Sequence, residues 1–229
     1  MKEHLPYSQQ AAHLIIFRLL AFLGGVLSLA LVLAGCGKPP VTVYKHLLEY
    51  PSPETPRRAQ VPTGIKVELF SVAQAYNSPA MVYRPASHQS EAYRYHRWRV
   101  NPGQMVTDFL LRDLRHAGLF KAVFSYDNTG KTRFQLEGAV EEFQEVNAGD
   151  NWTAVLAVNV TLLDTTKEEI TQRVLFQKNY RCAEAIINRT PQGLAAAMSQ
   201  AMQKLSASII SDVYQAAGPR ASSKEPETG

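Results

Sequence analysis

Cysteine is almost absent: Cys36 and Cys182 are the only two in 229 residues, which excludes a disulfide-stapled fold and a thiolate metal cage. No P-loop, GxGxxG, HExxH or paired CxxC occurs, so neither phosphate-cradling nor zinc chemistry has a motif to rest on, and no cofactor is implied. A strong charge excess is missing too. Beyond residue 35 the chain holds 22 basic against 19 acidic residues, a formal +3 that is too small a surplus for nucleic-acid binding. The histidines that follow, His46, His88, His96 and His116, are scattered singly and read as solvated or core-rim side chains.

One long apolar run is present. It extends over the 15 residues Leu19 to Leu33 and closes on Leu33-Ala34-Gly35-Cys36, the pattern read by lipoprotein signal peptidase. Small side chains at Ala34 and Gly35 let the peptide enter a narrow intramembrane site. The Cys36 thiol accepts a diacylglyceryl group before cleavage makes it the new N-terminus. Residues 1–35 are therefore expected to be a lipoprotein signal peptide, with Cys36 carrying acyl chains such as palmitate in a Gram-negative envelope. Two other readings exist. A buried core cysteine is disfavoured by the following Gly37-Lys38-Pro39-Pro40, and an uncleaved membrane span from His13 to Gly35 requires Arg18 to snorkel to the interface.

The lipobox constrains the rest of the chain. Gly37 stands where an aspartate would favour inner-membrane retention, so the expected location is the periplasmic face of the outer membrane. Residues 36–40 form a short tether, which spans about 20 Å at most before the first strand near Val41. Acylated Cys36 cannot form a disulfide, so Cys182 is single and expected to be buried. Sequons at Asn151, Asn159 and Asn188 have no meaning in such a compartment.

Residues 41–217 read as one domain, long enough to bury a core without staples. Short strands are predicted at Val41–Leu48, Ile65–Leu69, Met81–Arg84 and Glu91–Trp98, with a proline-punctuated loop over Pro51–Pro56. Asn101 as cap, Pro102 in the first turn, Gln104 completing a capping box and Gly118 beyond the end predict a helix over 101–117. A strand at Leu119–Phe124 follows. A three-strand antiparallel meander is predicted next: Phe134–Val146 with a bulge near Glu141-Glu142, the strictly alternating Trp152–Leu162, and Ile170–Tyr180. Thr190-Pro191 opens a closing amphipathic helix, and residues 218–229 have the composition of a disordered tail. The expected class is α+β, an antiparallel-rich sheet with two long helices packed on one face.

Candidate chemistry is sparse. Glu141, Glu142 and Glu145 read as a solvated strand end rather than as paired catalytic carboxylates. The segment Tyr93 to Arg99 interleaves aromatic and basic residues. Strand alternation would place Tyr93, Tyr95, Arg97 and Arg99 on one face, with Arg94, His96 and Trp98 on the other. Tyr95, Arg97, Trp98 and Arg99 are the candidate contacts to a partner or a lipid, against the plainer reading of long side chains covering a sheet edge.

Tyr95-x-x-Trp98-x-x-x-Pro102, then Gly118-x-Phe120-x-x-Val123 and Leu136-x-Gly138, stand in one order between a Tyr44-containing first strand and a long closing helix. This arrangement, with the lipobox, resembles the ABC-type transport auxiliary lipoprotein family, whose members accompany MCE-type and paraquat-inducible-type lipid transporters. The resemblance implies a noncatalytic periplasmic lipoprotein that docks onto an MCE-domain protein and its ABC permease and ATPase. It implies movement of phospholipids or other hydrophobic compounds across the envelope. A ring or other homo-oligomer is compatible with exposed sheet edges. A structural assembly lipoprotein, either a secretion-ring or a cell-wall-synthase-activating subunit, remains the alternative.

Overall fold

The computed structural model describes residues 17–25 and 41–222. Leu33, Ala34, Gly35 and Cys36, the tether 36–40 and residues 223–229 lie outside the described residues. The chain divides into two units after Thr42. In the first, residues 17–25 are helical with exposed side chains. No helix among the described residues is long and apolar enough to cross a membrane.

The second unit is built on one mixed sheet of nine strands. Strands β1 to β4 are Tyr44–His46, Val61–Val67, Ser71–Val72 and Ala80–Arg84. Strands β5 to β9 are Glu91–Trp98, Phe120–Phe124, Phe134–Ala148, Asn151–Asp164 and Val174–Ala185. The long strands β7, β8 and β9 form the expected antiparallel meander, with its bulge between Val140 and Glu142. The opposite edge of β7 is shared. β2, β3 and β4 lie along it one after another, all parallel to it, at Leu136, Val140 and Val146 respectively. β6 is parallel to β2, β5 antiparallel to β4, and β1 parallel to β5.

The sheet is therefore mixed: antiparallel through the long meander, as expected, and parallel along the other edge of β7. The reason is that β2, β3 and β4 are successive pieces of one chain path that keeps its direction while following β7. No single strand in that path is long enough to reveal the parallel run by its own pattern.

Helices α1 (Pro102–Ala117) and α3 (Pro191–Ser222) touch each other, and both touch β2, so they share one face of the sheet. Between them in sequence, α2 (Ile170–Arg173) is a single turn that replaces the predicted start of the last meander strand; β9 begins at Val174 and continues to Ala185. At the start of α1 the Asn101 side chain accepts from the Gly103 N–H at 2.9 Å. Gln104 donates to Asp108 instead of closing a capping box. Gly118 ends the helix at φ +63°, a conformation that suits glycine. Thr190 Oγ accepts from the Gly193 N–H at 3.0 Å and starts α3, which runs past Gly218 to Ser222.

The core lies between the helices and the inward face of the meander. Leu136, Val140, Leu156, Val158, Val160 and Leu162 meet Leu110, Leu114, Met198, Ala201, Ile209 and Val213 there.

Candidate functional site

The aromatic and basic segment of β5 does not alternate as a regular strand. Between its pairings with β4, Val82 faces Ala92 while Ala80 faces Arg97, so β5 carries extra residues and its phase slips. Before the slip, Tyr93 turns inward and its hydroxyl donates to Glu145 Oε2 at 2.9 Å. After it, His96 and Trp98 share a face with their partners Tyr44 and His46 on β1.

Trp98 is 1% exposed and meets Phe143 edge-on, with ring centroids 5.1 Å apart. Its placement among the candidate contact residues is thereby corrected. The slip turns the indole into the core, where it serves as a packing residue. Tyr95 and Arg99 are exposed, and the Arg94 guanidinium lies 5.4 Å from the Tyr95 ring centroid. Arg97 is half-buried, and its Nη1 donates to the carbonyls of Tyr93 and His96. Tyr95 and Arg99 remain available to a partner, whereas Arg97 is largely engaged with its own strand.

Beside them His46 Nε2 and His96 Nδ1 are 2.9 Å apart, and Tyr44 stacks on His96 with centroids 5.2 Å apart. Burial, and then the neighbouring His96, hold the His46 pKa below its ordinary value. This pair fastens the edge strand to its neighbour. No group of three metal-ligating side chains occurs among the described residues.

Glu145 is the functional-looking residue that sequence reasoning misplaces. The bulge after Val140 turns Phe143 and Glu145 to the inward face, and Glu145 is 0% exposed with Oε1 lacking a hydrogen-bond partner. Desolvation raises its pKa above the usual carboxyl value, outweighing the bonds from Tyr93 and Asn147 that favour the charge. The signal was Phe143, which breaks the even-numbered apolar run of Phe134, Leu136 and Val140.

A carboxyl whose folded pKa exceeds its unfolded one binds more protons when folded. Its contribution is then most favourable below the ordinary pKa and is lost as pH rises through the elevated value. Glu145→Gln should therefore flatten the fall in stability from acid to neutral pH, as read by urea denaturation at pH 5 and pH 8. A wild-type protein equally stable at both, with an unchanged variant, would remove this account.

Asp113 and Asp164 are also buried carboxylates, and Asp164 is paired with Arg133 at 3.0 Å. Asp113 gathers donors from the loop and both helices. Its Oδ1 accepts from Ser52 Oγ at 2.8 Å and Arg112 Nε at 2.8 Å; its Oδ2 accepts from Tyr50 Oη at 2.9 Å and Ser206 Oγ at 2.7 Å. Arg112 also donates to the Tyr50 carbonyl, and Gln203 to that of Pro51. The proline-punctuated loop is thus clamped across both helices. His116 is exposed, and the buried aspartate with Tyr50, Ser52 and Ser206 forms a strut between the loop and the two helices.

Cys182 is half-buried rather than fully buried, because β9 borders the meander on its outer side. Burial and the adjacent Glu184, which accepts from its Sγ at 3.1 Å, push the thiol pKa up to about 11. It is protonated at neutral pH and a poor nucleophile.

A family model described as "ABC-type transport auxiliary lipoprotein component" matches residues 46–210, more than two thirds of the chain. The chain belongs to this family. Among solved structures, protein XCC0632 from Xanthomonas campestris matches this auxiliary lipoprotein at 21% identity with a TM-score of 0.69, over 80% of this chain and all of its own. An uncharacterized protein matches at 13% identity and a TM-score of 0.59, over 75% of this chain and 99% of its own. These two share the fold. Among curated proteins none matches the sequence. The family description names a transport accessory and no catalytic activity, and membership of a lipoprotein family fits a lipid-anchored envelope protein.

Several of the positions that carry the family resemblance pack inside this auxiliary lipoprotein, whereas Tyr44 and Tyr95 are exposed. Trp98, Phe120 and Leu136 are core residues. Gly138 gives way to the Phe70 ring, since a Cβ built there would lie 2.3 Å from a ring carbon.

Proposed function

We infer that this auxiliary lipoprotein is the noncatalytic lipoprotein component of an MCE-type ABC transport system that moves phospholipids or other hydrophobic compounds across the envelope. Acylated Cys36 holds it at the periplasmic face of the outer membrane. Its partners are an MCE-domain protein and the ABC permease and ATPase, the last of which supplies the energy of transport. The family match over residues 46–210 carries this reading. A noncatalytic role is supported by the use of the buried carboxylates and the half-buried thiol: Asp113 braces a loop, Glu145 ties β7 to Tyr93, Asp164 pairs with Arg133, and Cys182 keeps its proton. A homo-oligomer would cover the outer edge of β9, a 12-residue strand paired on one side to β8.

Genetic epistasis tests the proposal. Deleting this chain should reproduce the envelope-permeability defect of deleting its MCE partner, with no further defect in the double deletion. An additive defect would place it in another pathway. Recovery of its defect by a cell-wall or secretion mutant would favour the assembly-lipoprotein reading.

A further inference from the structure

The edge strand β1 lies at one end of the strand order, paired to β5 with Lys45 beside Arg97 and Tyr44 beside His96. At a sheet edge the side chains of both faces flank the unpaired backbone, so a flat surface approaching that edge meets both sets. Exposed carboxylates lie only at the margins, Glu91 at the start of β5 and Glu49 beyond the end of β1, and the exposed side chains between them are of two kinds. Val43, Tyr44 and Tyr95 are 47%, 54% and 40% exposed, and they lie among the exposed bases Lys45, Arg94 and Arg99. Apolar and aromatic bodies next to basic groups are the composition that inserts at the level of lipid headgroups.

Chain length decides the occupant. Val43 follows Cys36 by seven residues, a reach of about 25 Å when fully extended. A short tether of this kind keeps the local concentration of membrane surface high, so that even a weak patch is engaged. We propose that the β1–β5 edge docks onto the anionic bilayer surface that holds the lipid anchor, orienting the domain with this edge towards the headgroups. The proposal rests on acylation of Cys36. Each basic side chain near an anionic surface strengthens docking by roughly fivefold, and salt screens the effect within about 8 Å at physiological ionic strength.

The test is hydrogen exchange on the full acylated protein in phosphatidylcholine vesicles with and without phosphatidylglycerol, with acylation verified by intact mass in the same sample. Exchange at residues 43–47 and 91–99 should slow by about tenfold or more on the anionic vesicles and recover in 0.5 M salt. The double variant Arg94→Glu, Arg99→Glu should lose this protection at an unchanged melting temperature. Acylated protein with no protection on either vesicle overturns the docking and leaves the anchor intact. Protection that arises only when a partner protein is added overturns it in favour of a protein interface. An unmodified Cys36 overturns both the docking and the anchoring on which it rests.

Discussion

Cys36→Ser is expected to leave the full-length precursor uncleaved, without acyl mass and no longer held by a lipid anchor. A serine hydroxyl is a much weaker nucleophile than the thiol and does not take up the diacylglyceryl group that must precede cleavage. The energetic consequence is large. Each buried methylene contributes about 0.8 kcal/mol, and one acyl chain binds only marginally, so two or three chains separate firm anchoring from release. Cys182→Ser serves as the internal control, because that thiol lies on β9 within the folded domain. Intact mass and vesicle flotation read the result. A Cys36→Ser protein that is still processed and membrane-bound would remove the anchoring account.

Asp113→Ala should destabilise the folded domain by about 2–4 kcal/mol, since each buried donor left without an acceptor costs about 1–3 kcal/mol while Arg112, 38% exposed, can turn to water. The loss is large because the carboxylate gathers donors from three separate stretches of chain. Tyr50 and Ser52 come from the loop, Arg112 from α1 and Ser206 from α3. Burial and the aspartate hold the Tyr50 hydroxyl proton far above its ordinary pKa, so that group remains a donor at all physiological pH. Without Asp113 the hydroxyls of Tyr50 and Ser206 are left in the interior with no acceptor. Urea denaturation should show the full loss, and proteolysis should begin within Pro51–Arg58. An unfolding free energy within about 0.5 kcal/mol of wild type, the size of an ordinary surface substitution, would show that the loop is held by packing instead.

The parts of the fold that could be read from sequence are those in which one local signal decides the outcome. The Asn101 cap, the Gly118 stop, the bulge before Glu142 and the six-residue alternation from Trp152 to Leu162 each act within a few residues, and each stands in the structure. The parallel alignment of β2, β3 and β4 along β7 is a long-range property that no short strand encodes. The candidate surface was half legible for a related reason. Composition singled out Tyr93 to Arg99, but the phase slip in β5 decides which of those side chains face outward. It sends Trp98 into the core and leaves Tyr95 exposed, while the neighbouring contribution of Val43 and Tyr44 depends on a strand pairing across about fifty residues of sequence.

A lipoprotein that serves an MCE-type transporter should be held in one complex with it. Affinity purification of the acylated protein from gently solubilised membranes tests this most directly, with the co-purifying proteins identified by mass spectrometry. An MCE-domain protein should be recovered together with its permease and ATPase, and all three should be absent when Cys36→Ser is used as bait. Recovery of a secretion pore or a cell-wall synthase in their place would contradict this role.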